Sequence, residues 1–119
     1  MTDEQARELG RRALKACPRL LSGMQGWWVD SQGSRHRPRI DGSPGPWITR
    51  PDAGLDVRDP ATLGCLLALV REAWGRGTVE VRSRKVDYVA LHRWEYTYTE
   101  VGLGASEAEA LVAALEAAP

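Results

Sequence analysis

The run Thr78-Val79-Glu80-Val81-Arg82-Ser83-Arg84-Lys85-Val86-Asp87-Tyr88-Val89-Ala90-Leu91-His92-Arg93-Trp94-Glu95-Tyr96-Thr97-Tyr98-Thr99-Glu100-Val101 carries the strongest strand signal in this chain. Thr78 to Arg82 alternates apolar and polar residues. That is the pattern of a half-buried strand, whose successive side chains point to opposite faces. Ser83-Arg84-Lys85 is a polar turn, and Val86 to His92 returns as a second strand. Trp94 to Val101 alternates again with a period of two, placing Trp94, Tyr96 and Tyr98 on one face and Glu95, Thr97 and Thr99 on the other. Arg93 stands between the last two runs as a bulge or a turn, leaving open whether residues 86–101 form one bent strand or two.

Helix signals flank these strands. Before them, Asp59-Pro60 combines an N-cap with a proline at the first helical position. Leu63, Leu66, Leu67, Val70 and Trp74 follow at helical spacing, and Gly75 provides the stop. Cys65, Ala68 and Leu69 make the neighbouring faces apolar too, so this is expected to be the most buried helix, with Leu66, Leu67, Val70 and Trp74 in the core. Gly64 costs helix stability but would allow close backbone packing. After the strands, Gly102-Leu103-Gly104 leads to the capping box Ser106-Glu107-Ala108-Glu109 and a helix with Ala108, Leu111, Val112 and Leu115 on its apolar face.

The N-terminal half is read the same way. Thr2-Asp3-Glu4-Gln5 is a capping box. It opens a surface helix with the thin stripe Ala6, Leu9, Ala13 and Ala16, closed by Pro18. Met24 to Asp30 suits a strand, Ser31-Gln32-Gly33-Ser34 a turn, and Arg35 to Ile40 the hairpin partner. Pro38 lacks an amide donor, so that partner is expected to lie at a sheet edge or to be short. Asp41 to Asp59, punctuated by Pro44, Pro46 and Pro51, reads as an ordered irregular loop pinned by Trp47 and Ile48. The order is α-β-β-α-β-β(β)-α, with strands in adjacent antiparallel pairs. The expected fold is α+β, an antiparallel sheet packed with helices in a single domain over residues 1–119.

Composition narrows the function classes. The 119 residues are 43% hydrophobic and 27% charged, with sixteen basic and sixteen acidic side chains. Zero formal net charge predicts no global attraction to nucleic acid or membrane. No apolar run approaches the ~20 residues that span a bilayer, and Met1-Thr2-Asp3-Glu4-Gln5 is too acidic for a signal peptide, so a cytoplasmic protein without a membrane partner is expected. Cys65 lies in an apolar run, and the cysteines are read as buried free thiols, against a disulfide or ligand role.

Taken together, the N-terminal amphipathic helix, the Met24-Gln25-Gly26-Trp27-Trp28-Val29 strand, the Asp59-Pro60-Ala61-Thr62-Leu63 helix and the ending Gly102-Leu103-Gly104-Ala105-Ser106-Glu107-Ala108-Glu109-Ala110-Leu111 resemble small bacteriophage proteins of the phage ABA-sandwich type. The resemblance covers most of the chain but is patchy from Ser31 to Val57. It implies a phage or prophage origin, hence the host cytoplasm, and a helix–sheet–helix sandwich. It carries over no catalytic residue. The same ending is also similar to that of a double-stranded RNA-binding domain, which holds phosphates with lysines at the start of its last helix. Here Glu107 and Glu109 would repel phosphate, and the helix at Asp59 interrupts that module's run of strands. Duplex RNA is therefore not an expected partner.

Catalytic signatures are missing. His36 and His92 have no metal-ligand spacing, and no nucleophile elbow, phosphate loop or dinucleotide fingerprint occurs. No metal, cofactor or enzymatic activity is expected. The aromatic and arginine content is more informative. Five Trp and three Tyr with no Phe give every aromatic ring a polar handle. Trp27 and Trp28 point to opposite faces of their strand. Arg35, His36, Arg37 and Arg39 cluster in one hairpin arm, and Arg82, Arg84 and Lys85 at another turn. Guanidinium forks bind phosphates and Trp or Tyr faces stack on bases. A buried sheet face and solvated edges that resist aggregation are the plainer alternative. The candidate ligand-binding residues are Trp27, Trp28, Arg35, Arg37, Arg39, Trp47, Arg82, Arg84, Lys85, Tyr96 and Tyr98. The expected function is a non-catalytic phage accessory protein capturing a small anionic ligand, such as a nucleotide signal of host defence. The alternative is a protein-interaction module inhibiting a host or phage enzyme, with self-association through the apolar helix from Leu66 to Trp74.

Overall fold

Helix α1 (Asp3–Ala16) begins at the expected capping box: Thr2 Oγ1 accepts from the Gln5 amide at 3.1 Å, and Gln5 Oε1 accepts from the Thr2 amide at 2.8 Å. This computed structural model describes residues 1–17, 28–36 and 54–119. By its internal contacts the chain divides into two units, Met1–Cys65 and Leu66–Pro119, with the boundary inside helix α2 (Pro60–Trp74).

In the first unit, α1 buries Ala6, Leu9, Gly10 and Ala13, while Ala16 is exposed. Three short antiparallel strands, β1 (Trp28–Val29), β2 (Arg35–His36) and β3 (Gly54–Leu55), form a sheet in the order β2-β1-β3. Among the described strands β2 is short and lies at an edge, and Pro38 itself lies outside the described residues. β3 falls in the stretch read as an irregular loop, and α1 packs against it. The approach is close because both partners supply glycine. A Cβ on Gly10 would lie 2.4 Å from the Leu55 carbonyl oxygen, and one on Gly54 2.8 Å from that of Arg7. Val29, Leu55 and Val57 are fully buried.

α2 starts as expected, with the Asp59 carbonyl accepting from the Leu63 amide at 3.0 Å. Leu66 and Val70 are fully buried, but Leu67 and Trp74 are only half-buried. The expectation that this is the most buried helix is corrected by helix α3 (Glu107–Ala117). α3 buries Ala108, Ala110, Leu111, Val112, Ala114 and Leu115, whereas α2 turns Ala61, Gly64, Ala68, Arg71 and Glu72 outward. A Cβ on Gly64 would meet nothing within 4 Å among the described residues, so the close packing that this glycine would allow is not used there.

The second unit holds a three-stranded antiparallel sheet in the order β4 (Thr78–Ser83), β5 (Tyr88–Trp94), β6 (Thr97–Gly104). The chain is thus α+β with helices packed on antiparallel strands, and residues 86–101 contain two strands. The register sets Val81 against Ala90 and Ala90 against Gly102. A bulge at Val101 then shifts Leu91 onto Glu100. α3 lies on the face carrying Ala90 and Gly102, where a Cβ on Gly102 would come 2.2 Å from the Ala110 carbonyl oxygen and 2.7 Å from the Ala114 amide nitrogen. The Gly102-x-Gly104 pair is therefore a seat for an alanine-rich helix. Trp74 Nε1 donates to the Ala114 carbonyl at 2.9 Å, and its ring packs 5.3 Å from that of His92. No helix among the described residues is long and apolar enough to cross a membrane.

Two glycine substitutions test this packing by unfolding in urea. Gly102→Ala is expected to cost roughly 1–3 kcal/mol, because the helix must move off the strand. Gly64→Ala, in open helix surface, is expected to gain about 0.5–1 kcal/mol from reduced chain entropy.

Candidate functional site

β5 and β6 are joined through only Glu95 and Tyr96, since Trp94 pairs with Thr97. Glu95 has φ +54°, and Tyr96 keeps a negative φ. A positive φ at the first central residue alone is the type II′ pattern, where glycine is usual. The expected single alternating run Trp94 to Val101 is corrected here. Tyr96 belongs to the turn and is wholly exposed at its apex, not on the face shared with Tyr98. The alternation misleads because Trp94-Glu95-Tyr96-Thr97 alternates in size and polarity like a strand and lacks the Asn-Gly or Gly-x of most tight hairpins.

With the turn in place, the strands sort into two faces. Ala90, His92 and Trp94 share the face of α3. Arg93 lies on the other face, with Thr78 on one side and Tyr98 on the other, and Leu91 lies between Glu80 and Glu100. On this second face Arg82, Arg93, Tyr98, Glu100 and Leu103 are exposed, around a buried Val89. Tyr98 is 47% exposed and its ring has two guanidinium groups over it, Arg82 at 5.1 Å and Arg93 at 5.6 Å. Around the tip, the Arg76 guanidinium sits 5.7 Å from the ring centre of Trp94, itself 42% exposed. One end of the sheet therefore carries three accessible aromatic rings and three arginines. Guanidinium groups hold such positions through attraction to the negative faces of the rings.

Of the sequence-derived candidates, Arg82, Tyr96 and Tyr98 are brought to this hairpin end. Arg84 is not available there. Its Nε and Nη2 donate to both carboxylate oxygens of Asp87 at 2.7 and 2.8 Å, and its Nη1 to Glu100 at 3.1 Å. These carboxylates raise the guanidinium pKa, and Arg84 in turn holds Asp87 below the usual carboxylate range. Arg84 ties the β4–β5 turn shut, so the expected basic cluster Arg82, Arg84 and Lys85 divides. Lys85 is exposed in that turn. Trp28 and Arg35 lie in β1 and β2, where Trp28 pairs with His36 and Leu55, and Arg35 with Val29. Trp27, Arg37, Arg39 and Trp47 lie outside the described residues. Arg76, Arg93 and Trp94 complete the cluster and were missed as site residues. Their signal was the cross-strand neighbourhood that only the correct turn reveals.

The first unit contains a different polar device. Asp30 Oδ1 accepts from the amides of Gln32 and Ser34 at 2.9 and 3.0 Å, Oδ2 meets His36 Nε2 at 2.9 Å, and Arg7 Nη1 donates to the Asp30 carbonyl at 2.7 Å. A histidine oriented by a carboxylate is a unit that catalysis uses, but this carboxylate is spent on closing the β1–β2 turn. The His36 hydrogen bond lowers the Asp30 pKa. Among the described residues no group of three or more His, Cys, Asp or Glu side chains is placed to hold a metal ion. Cys17 and Cys65 are free and half-buried. No known protein family, curated protein or solved structure matches the chain.

Two expectations follow. Glu95→Gly should raise stability by about 1 kcal/mol in thermal unfolding, by relieving the left-handed conformation. A carboxylate with a lowered folded-state pKa stabilises fully above its unfolded value and loses that contribution as pH falls through the folded one. Asp30→Asn should therefore destabilise the protein at neutral pH, and its urea midpoint should fall less than the wild type's between pH 5 and the acid limit.

Proposed function

We propose that the hairpin end of the second unit captures an anionic aromatic ligand of the nucleotide type, and that the chain acts as a binding protein. The observation that carries this reading is the exposed Tyr98 ring with the Arg82 and Arg93 guanidinium groups held over it. A ring can stack on a base, and a guanidinium group offers a planar fork to phosphate oxygens. Rings that already hold arginines in place reduce the ordering cost of binding. The pairing of Arg82 Nη2 with Glu80 at 2.7 Å leaves Arg93 as the stronger phosphate donor of the two. The resemblance to small phage proteins makes a nucleotide signal of host defence the natural candidate.

One base stack contributes about 1–3 kcal/mol and each charge-assisted hydrogen bond about 1.5–3 kcal/mol. A stack with two such bonds gives roughly 4–9 kcal/mol, the span from millimolar to about micromolar dissociation constants. A second reading, a protein-interaction surface, is favoured by the fully exposed Tyr96 beside the half-exposed Trp94, since protruding aromatic rings are typical interface anchors.

Thermal-shift and tryptophan-fluorescence titrations with nucleotides and cyclic dinucleotides separate the two readings. Binding is expected, weakened about tenfold or more by Arg93→Ala or Tyr98→Ala, with Arg93→Lys restoring it only in part. Arg84→Ala should change affinity little. Absence of any nucleotide-dependent shift at millimolar ligand removes the capture reading and leaves the protein surface.

A further inference from the structure

The two edges of the β4-β5-β6 sheet are treated differently. On the β4 side, Arg71 from α2 donates its Nε–H to the Val79 carbonyl at 3.0 Å, so an outward-facing backbone acceptor is already satisfied. This bond also fixes which backbone groups face where. Val79 points its polar groups away from β5, and antiparallel ladders alternate between bonded and non-bonded pairs. Thr78 and Glu80 therefore bond to Arg93 and Leu91, and on the other side of β5 His92 and Trp94 bond to Thr99 and Thr97. Tyr98 and Glu100 are left with their N–H and C=O groups directed to the outer edge of β6. All four residues from Thr97 to Glu100 are exposed. α2 is a poor candidate for the expected self-association, because none of its large apolar side chains is exposed.

From this edge we infer that the chain forms a homodimer by antiparallel pairing of β6 with β6 of a second copy, centred on Thr99. The register follows from the outward groups. A two-fold axis at Thr99 sets Tyr98 against Glu100 of the other copy, so that both outward-facing residues of each strand exchange N–H···O bonds, four in all. Side-chain charge agrees with it. Each Glu100 carboxylate, whose Oε1 already accepts from Arg84 of its own chain, comes beside a Tyr98 that carries Arg82 and Arg93, and Thr99 faces Thr99 across the axis, a favourable cross-strand pair. A one-residue shift would match outward groups with inward ones. The Val101 bulge ends the pairing after Glu100, because bulges bend and twist the strand that contains them. The partner is a second copy of this chain because Tyr98 and Glu100 answer each other in both bonding and charge. The inference stands on the edge of β6 and does not depend on the ligand proposed above.

Cysteine cross-linking on the full chain, with Cys17 and Cys65 changed to Ser, tests the register. In the non-bonded Thr99 pair the Cα atoms would lie about 4.5 Å apart, within the range that a disulfide spans. Thr99→Cys is expected to form a disulfide dimer readily on mild oxidation, and Thr78→Cys on the opposite edge strand is not. Sedimentation should show a reversible monomer–dimer equilibrium for the wild type. Glu100→Pro, which removes an outward donor, should abolish it, and Glu100→Gln, which keeps that donor, should retain it. Circular dichroism of the proline variant checks that the fold survives. A wild type monomeric at about 1 mM, a dimer unaffected by Glu100→Pro, or equal cross-linking at Thr78 and Thr99 would each overturn the inference.

Discussion

Contact between α3 and the glycine pair of β6 governs the second unit. Ala110 and Ala114 come so near to Gly102 that neither partner could carry a larger group there without moving. That closeness fixes which face of the sheet is covered, and therefore which is left to carry Arg82, Arg93 and Tyr98. Trp74 reinforces the arrangement by bonding α2 to the Ala114 carbonyl while packing on His92. The same device recurs in the first unit, where Gly10 and Gly54 let α1 and β3 touch through their backbones. Small residues at these seats leave little apolar area per contact, so shape fit rather than bulk holds the helices in place.

Much of the fold was legible in the residues. The capping box at Thr2, the N-cap at Ser106, the Asp59-Pro60 helix start, the Gly75 stop and the strand pattern from Thr78 to Arg82 depend on local chemistry, which a sequence displays directly. The Glu109 carboxylate, however, reaches the Ala105 amide and not that of Ser106, so the second box is left half-formed. What escaped was non-local. β3 has only two described residues and gains its stability from α1, so Gly54-Leu55 offers no periodicity to detect. The excess burial assigned to α2 came from counting apolar residues. Ala61, Gly64 and Ala68 face outward, while the smaller α3 is better covered because the Gly102-x-Gly104 strand admits it closely.

The site was half legible for the same reason. Tyr98 and Arg82 could be singled out by type, but Arg93 becomes Tyr98's cross-strand neighbour only once the turn is set at Glu95 and Tyr96. A positive φ at glutamate is a strained choice that tertiary context imposes, and no local rule announces it. Arg84 shows the converse. As a residue in a basic run it looked like a ligand donor, yet each of its three nitrogens donates to Asp87 or Glu100 within the fold. Counting charges in a sequence overstates what is free to bind, since arginines and carboxylates two to sixteen positions apart neutralise each other across this sheet.

The end of the β5–β6 hairpin is the surface proposed to recognise an anionic aromatic ligand. A two-dimensional amide NMR titration with a purine nucleotide tests it most directly. The amide resonances of Arg82, Arg93 and Thr97 to Thr99 are expected to shift together along one binding isotherm, while those of Arg84 to Asp87 at the opposite turn stay in place. A titration that leaves the hairpin end unmoved, or that shifts the Arg84–Asp87 turn instead, would contradict it.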